Sequence, residues 1–262
     1  MRTLILLVLV SISLSVGAKP KRPQAPAPTA SYAIWDLDEG RILADKNVEA
    51  VRSMASITKL MTVLVTLERG LDLDESVVVT GSEHSGHIKR GMTLTRRELI
   101  TLSLVASDNL AANTLSETGG VDKHSFITLM NLRAYTLGMT DTKYTDPVGL
   151  SPFNVSTVFD IKTLTEHLER YPLFAESATQ PMVAVSATNR NKRVTVNARN
   201  TNVFAGKLDI KAAKTGFTNA AGRCLTMLFR GRDNHRYLLV VMGAVTSDQR
   251  HKMVTSLIDT IK

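Results

Sequence analysis

From Ser56 to Arg69 the chain places Ile57, Leu60, Met61, Val63, Leu64, Val65 and Leu67 so that a helix there keeps almost no polar face. A helix apolar on nearly all sides cannot lie on a surface, so the rest of the polypeptide has to enclose it. Gly70 marks its end. The first turn also carries Ser56 and Lys59, three residues apart and therefore on one face, where a hydroxyl and an amine can meet. An amine beside a serine can take its proton if its surroundings keep it from being a fully solvated ammonium. Free N–H groups at a helix start suit a developing oxyanion. The S-x-x-K spacing recurs by chance in chains of this size, so its weight comes from what accompanies it.

Met1 to Ala18 reads as a secretory leader: Arg2 supplies positive charge, Leu4 to Val10 is an apolar run too short to span a bilayer, and Val16-Gly17-Ala18 offers small residues for cleavage. Lys19 to Ala30 carries Pro20, Pro23, Pro26 and Pro28 among small and basic residues and is expected to be a Pro-rich tether. Residues 31–262 are expected to form one domain with two lobes, and a hydrophobic content of 44% argues against disorder there. The single cysteine, Cys224, rules out an intrachain disulfide despite the oxidising compartment a leader implies. Its apolar neighbours make it a buried strand residue. His84 and His87 stand in a loop of Ser and Gly, and neither a metal nor another cofactor is expected. A net charge of +8 favours polyanions, but 5% aromatic residues and the lack of a basic recognition helix argue against nucleic acid. A carboxylate-rich polymer outside the cytoplasm fits better.

Read in order, Ser31–Asp36 and Arg41–Asp45 predict a hairpin, and Val77–Val79 a short strand. Thr95 and Glu98 predict a capping box. Helices are then expected up to Ala106, from Leu110 to Gly119, from Asp122 to Gly138, and from Thr157 to Arg170, with loop over 141–152. After Tyr171-Pro172 the pattern becomes strand-like, at Arg193–Val196, Cys224–Phe229 and Tyr237–Val245, the last two joined by a turn at Gly231–Asn234. A helix from Ser247 carries an apolar stripe expected to cover those strands. The fold class expected is α+β: an antiparallel sheet assembled from both chain ends, flanked by helices, with an inserted helical lobe.

Ser107-Asp108-Asn109 falls between two helices, and Lys214-Thr215-Gly216 reads as the start of a strand. With Ser56 and Lys59 they give the order S-x-x-K, S-x-N, K-T-G, the set carried by penicillin-binding proteins and class A β-lactamases. In that arrangement Ser56 attacks a carbonyl and Lys59 accepts its proton, with Lys214 across the cleft disfavouring a second positive charge. Ser107 relays a proton to the leaving nitrogen and Asn109 holds a substrate amide. Lys214 and Thr215 bind a carboxylate, and Gly216 lets substrate backbone lie along the strand edge.

Lys214 to Leu225 (KTGFTNAAGRCL) resembles the extended signature of low-molecular-mass penicillin-binding proteins of the D-alanyl-D-alanine peptidase kind, serine peptidases of the S11 type. Asn154–Thr157 and Arg199–Asn202 are similar to the subgroup called penicillin-binding protein 7, which are D-alanyl-D-alanine endopeptidases. The likeness runs from about Ser31 to the C-terminus. It implies the β-lactamase/transpeptidase-like fold, a serine DD-endopeptidase acting on peptidoglycan peptide stems, and covalent inhibition by β-lactams. It also implies that Arg199 helps position the substrate carboxylate and that the backbone N–H groups of Ser56 and Phe217 form the oxyanion hole. No Glu-x-x-Leu-Asn string stands between Asn109 and Lys214, so slow release of a β-lactam is expected. The short stretch after Gly216 leaves room for a hairpin and one helix. A periplasmic protein, at most peripherally bound to membrane, is therefore expected. The alternatives are a DD-carboxypeptidase removing terminal D-alanine and, in another class, a non-catalytic wall-binding or β-lactam-sensing protein.

Overall fold

The computed structural model describes residues 29–261, so the leader expected at 1–18 and nearly all of the tether expected at 19–30 lie outside the described residues. The first strand begins at Ser31. β1 (Ser31–Asp36) and β2 (Arg41–Lys46) make the expected hairpin, with Gly40 supplying a φ of 65° in its turn. β3 (Arg52–Ser53) leads through a 3-10 turn, Ala55–Ile57, into α1 (Thr58–Glu68). The short strands β4 (Ser76–Val78) and β5 (Thr93–Thr95) precede α2 (Arg96–Val105), whose start is the expected capping box of Thr95 and Glu98. The side chain of Asp108 caps α3 (Asn109–Glu117), and that of Asp122 caps α4 (Lys123–Thr136). β6 (Val155–Ser156) pairs with β3 and is followed by α5 (Val158–His167), capped by Thr157, and α6 (Pro172–Thr179). The chain closes with β7 (Met182–Asn189), β8 (Lys192–Arg199), β9 (Asp209–Thr218), β10 (Gly222–Arg230), β11 (Arg236–Ala244) and α7 (Ser247–Ile258).

The main sheet is antiparallel, in the order β2-β1-β11-β10-β9, so strands from the two ends of the chain meet at β1 and β11. One face packs on α1, α2 and α5, joining Trp35, Cys224, Leu228 and Val240 to Leu60, Leu64 and Ile161 in the larger core. The other face packs on α7 through Leu225, Met227, Leu239, Val254 and Leu257. Each such apolar side chain, once fully buried, contributes roughly 1.5–3 kcal/mol. The sheet is thus the middle of three layers, and α1 lies inside the molecule, with Leu60, Met61, Val63 and Leu64 wholly excluded from solvent. The architecture is α+β as expected.

Four expectations need correction. Ser56 is not yet in the α-helix: it sits in the 3-10 turn one step before α1, because Ala55 takes a φ of 49° to bring the chain in. The segment after Tyr171 is helix, α6, before it is strand, since Pro172 occupies the first helical position, where its missing N–H costs nothing. Lys214-Thr215-Gly216 stands past the middle of β9, which begins at Asp209. The inserted lobe is not purely helical, because β4, β5, β7 and β8 make a second antiparallel sheet of four strands beside it.

Candidate active site

Ser56 is held by backbone on two sides. A Cβ on Gly216 of β9 would lie 3.1 Å from the Ser56 nitrogen, and one on Gly149, whose φ is +85°, would lie 2.0 Å from the Ala55 oxygen. Only glycine permits such approaches. Ala55 and Ser107, the latter with φ 58°, both occupy the left-handed region without being glycine. Strain of this kind, on the order of 1–3 kcal/mol per residue, persists where the surrounding structure enforces it.

Lys59 is fully buried in the first turn of α1. Its Nζ is bonded to Ser56 Oγ at 2.9 Å, Asn109 Oδ1 at 2.7 Å and the Val148 carbonyl oxygen at 2.6 Å. Among the described residues no carboxylate touches it. Burial lowers its amine from the ordinary lysine value to about 7, with Asp146 and then Asp108 acting at longer range in the opposite direction. A neutral amine has two N–H groups and one lone pair. Neither Asn109 Oδ1 nor Val148 O can donate, so they take the two N–H groups and leave the lone pair for the Ser56 hydroxyl.

Lys214 is also buried, and its Nζ donates to the Thr215 carbonyl oxygen at 2.8 Å. Burial holds this amine well below the usual lysine value, and the charges of Lys59 and Arg250 reinforce the effect. Two neighbouring ammoniums without counter-ions are costly to keep charged together, so an anion entering the cleft is favoured. β9 is an edge strand of the main sheet, and its unpaired backbone is open to an extended peptide.

The structure thus brings Ser56, Lys59 and Asn109 into one hydrogen-bonded group and sets Gly216 against them. Ser107 is half-buried and makes no hydrogen bond to that group among the described residues. Arg199 ends β8 opposite Met182, exposed, with no bond to Lys214 or Thr215 among the described residues. Phe217 is 45% exposed at the cleft end of β9, and the Arg223 guanidinium lies 3.5 Å from its ring centroid. In the loop at 84–87, His87 Nδ1 faces Asp108 Oδ2 at 3.3 Å and Ser85 Oγ bonds the same oxygen.

Sequence reading missed several groups. Arg250, half-buried in α7, has no carboxylate partner among the described residues and bears on Lys214. Its spacing of four and seven from Val254 and Leu257, a cation in an apolar stripe, was the available signal. Thr201 Oγ1 meets Thr215 Oγ1 at 2.6 Å while its N–H donates to the Val105 carbonyl oxygen at 3.0 Å, tying the turn before Ser107 to β9. The stretch expected as plain loop supplies the Val148 carbonyl.

The family described as D-alanyl-D-alanine carboxypeptidase, peptidase S11, matches residues 19–246. The sequence is 37% identical over 207 residues to a D-alanyl-D-alanine endopeptidase of Pseudomonas aeruginosa, covering 76% of this chain and 66% of that one. It is 36% identical over 248 residues to a D-alanyl-D-alanine endopeptidase of Escherichia coli, covering 87% and 79%. The fold superimposes on penicillin-binding protein D2 of Listeria monocytogenes in its ampicillin-bound form with a TM-score of 0.75 at 28% identity, over 88% of this chain and 96% of that one.

Proposed function

The chain belongs to the peptidase S11 family of D-alanyl-D-alanine carboxypeptidases, and from that membership we propose that it is a serine DD-endopeptidase that hydrolyses D-alanyl–diaminopimelate cross-links of peptidoglycan. The observation that carries the reading is the bond between Lys59 Nζ and Ser56 Oγ at 2.9 Å, made by an amine that burial brings to about 7 and that no carboxylate among the described residues touches. Two relatives at 36–37% identity are endopeptidases, which favours that specificity over removal of a terminal residue.

In this mechanism the Ser56 Oγ–H bond breaks as Oγ attacks the D-alanyl carbonyl, and the proton passes to the Lys59 amine. The N–H groups of Ser56 and Phe217 receive the oxyanion. The C–N bond then breaks, and the leaving amine takes a proton through the Ser107 hydroxyl from the lysine ammonium. Water completes hydrolysis of the acyl-enzyme. Asn109 holds the substrate amide, while Lys214, Thr215 and Arg199 receive the carboxylate on the D-configured carbon that bears the leaving amine. A β-lactam presents a carbonyl and a carboxylate at similar spacing and acylates Ser56. Its amine remains attached to the acyl group, so deacylation is slow. The enzyme is exported by the leader and acts in the periplasm on peptide stems. Among the described residues no helix is long and apolar enough to cross a membrane.

The test is digestion of purified cross-linked muropeptide dimers. Conversion to monomers, abolished by Ser56→Ala, is expected. Release of free D-alanine from pentapeptide stems with dimers left intact would make it a carboxypeptidase. Undiminished turnover in Ser56→Ala would overturn the nucleophile assignment. No turnover of either substrate, with both still bound, would favour a wall-binding or sensing protein.

A further inference from the structure

The loop between α4 and β6 has no helical or strand periodicity, yet its side chains hold it in one conformation. Asp146 Oδ1 accepts the N–H groups of Val148 at 2.7 Å and Gly149 at 2.5 Å, and its Oδ2 accepts that of Ser151 at 2.6 Å. Asn154 is fully buried. Its Oδ1 accepts from Thr145 N at 2.7 Å and Asp146 N at 3.1 Å, and its Nδ2 donates to Asp146 O at 2.9 Å and Thr58 Oγ1 at 3.0 Å. One turn further along α1, Thr62 Oγ1 donates to Pro147 O at 2.5 Å. Thr58 and Thr62 bracket Lys59, so the loop is fastened to the helix on both sides of that residue. Gly149 fixes the third point by its contact with Ala55.

The product of these bonds is one atom in one place, the Val148 oxygen 2.6 Å from Lys59 Nζ. Without it the amine would have a second free direction, and its lone pair would no longer be confined to the serine. We propose that Asp146 and Asn154 are positioning residues for the hydrolysis: by holding the Val148 carbonyl on the Lys59 amine they leave that amine a single direction in which to take a proton, toward Ser56. The inference rests on the serine–lysine reading above and adds a residue pair to it.

Asp146 also acts in a second, opposing way. Its negative charge favours the ammonium form of Lys59, as does that of Asp108 from the cap of α3, whereas a charge on Lys214 of β9 opposes it and Arg250 of α7 acts on Lys214. Asp146→Asn keeps an acceptor for Val148 and Gly149 but removes the charge, so aim and charge separate experimentally.

The test uses the purified full chain and a fluorescent penicillin, with the acylation rate constant followed from about pH 5 to about pH 10 and thermal unfolding recorded for each variant. Asp146→Ala and Asn154→Ala are expected to lower the alkaline plateau about a hundred-fold, the scale of a 1 Å misplacement of reacting groups. Asp146→Asn is expected to lose less of the plateau and to move the acid limb to lower pH. A part that merely stabilised the fold would lower the unfolding temperature and leave the plateau rate of the folded protein unchanged. Wild-type plateau rates in the alanine variants would overturn the proposal. Should the alanine variants not fold, the plateau of Asp146→Asn, which loses the acceptor for the Ser151 N–H, decides in their place, a wild-type value overturning the proposal. A wild-type protein that is not acylated would instead defeat the serine–lysine reading itself.

Discussion

A side chain on Gly216 would lie 3.1 Å from the Ser56 nitrogen and 2.9 Å from the Met54 carbonyl oxygen, so the edge strand and the turn that carries Ser56 meet backbone to backbone. In Gly216→Ala one of the two must shift. Because β10 holds β9 on its other side, the expected outcome is a folded protein whose β-lactam acylation falls at least ~10-fold, read by fluorescent-penicillin kinetics beside thermal unfolding. A wild-type rate would mean that the contact has no part in catalysis.

The acylation rate should rise with pH and level off above about 7. Burial lowers the Lys59 amine to that value; below it the group is an ammonium and has no lone pair for the serine proton. Stopped-flow acylation across pH checks this. A limb near the ordinary lysine value would show that the base is not an amine depressed by burial.

The same displacement has a consequence for stability, with a definite sign. The unfolded chain holds the Lys59 proton up to about 10.5 and the folded one only to about 7, so between these values the unfolded state binds more protons. Folding stability from this group therefore grows as pH rises through that window. Lys59→Met removes the dependence. The variant should be inactive, and its stability relative to wild type should decline from pH 7 to 10.5, as measured by urea unfolding at several pH values. A constant difference would show that the amine is not depressed.

Arg250→Ala should raise KM for substrates bearing a carboxylate on the leaving side while changing kcat little, since its charge acts on Lys214 and it is not among the groups that act on Lys59. Amidated substrates should respond less. Equal losses on both would indicate packing rather than charge.

Gly149→Ala combines a φ of +85° with a Cβ 2.0 Å from the Ala55 oxygen, whereas a Cβ on Gly86 meets nothing within 4 Å. The first should cost about 3 kcal/mol or more and the second less than ~1 kcal/mol, by denaturant unfolding.

The elements that sequence reading found are those with strong local patterns. The apolar surround of α1, the capping box at Thr95 and the alternation of β10 and β11 each appear in consecutive residues. β7 was missed because its inward positions include small residues, Ala187 among them, and its pairing with β5 is a single pair, Thr93 with Thr188. α6 was missed because a proline that opens a helix looks like one that ends it. At the site, Ser56, Lys59 and Asn109 were legible as motif letters. Val148 acts through its carbonyl, which every residue has, so it has no local mark, and Thr201, although within the Arg199–Asn202 motif, acts through a partner 14 positions away that the motif does not reveal.

Lys214 joins the main sheet only through β10, β10 only through β11, and β11 finds its other neighbour in β1, over two hundred positions earlier in the chain. A polypeptide emerging N-terminus first can complete α1, with its serine and lysine, long before that ladder exists. Pairings this distant in sequence are slow to form. The contact of Gly216 with the Ser56 turn is therefore withheld from the nascent chain and arrives with the last strand, as a late event of folding rather than a property of α1.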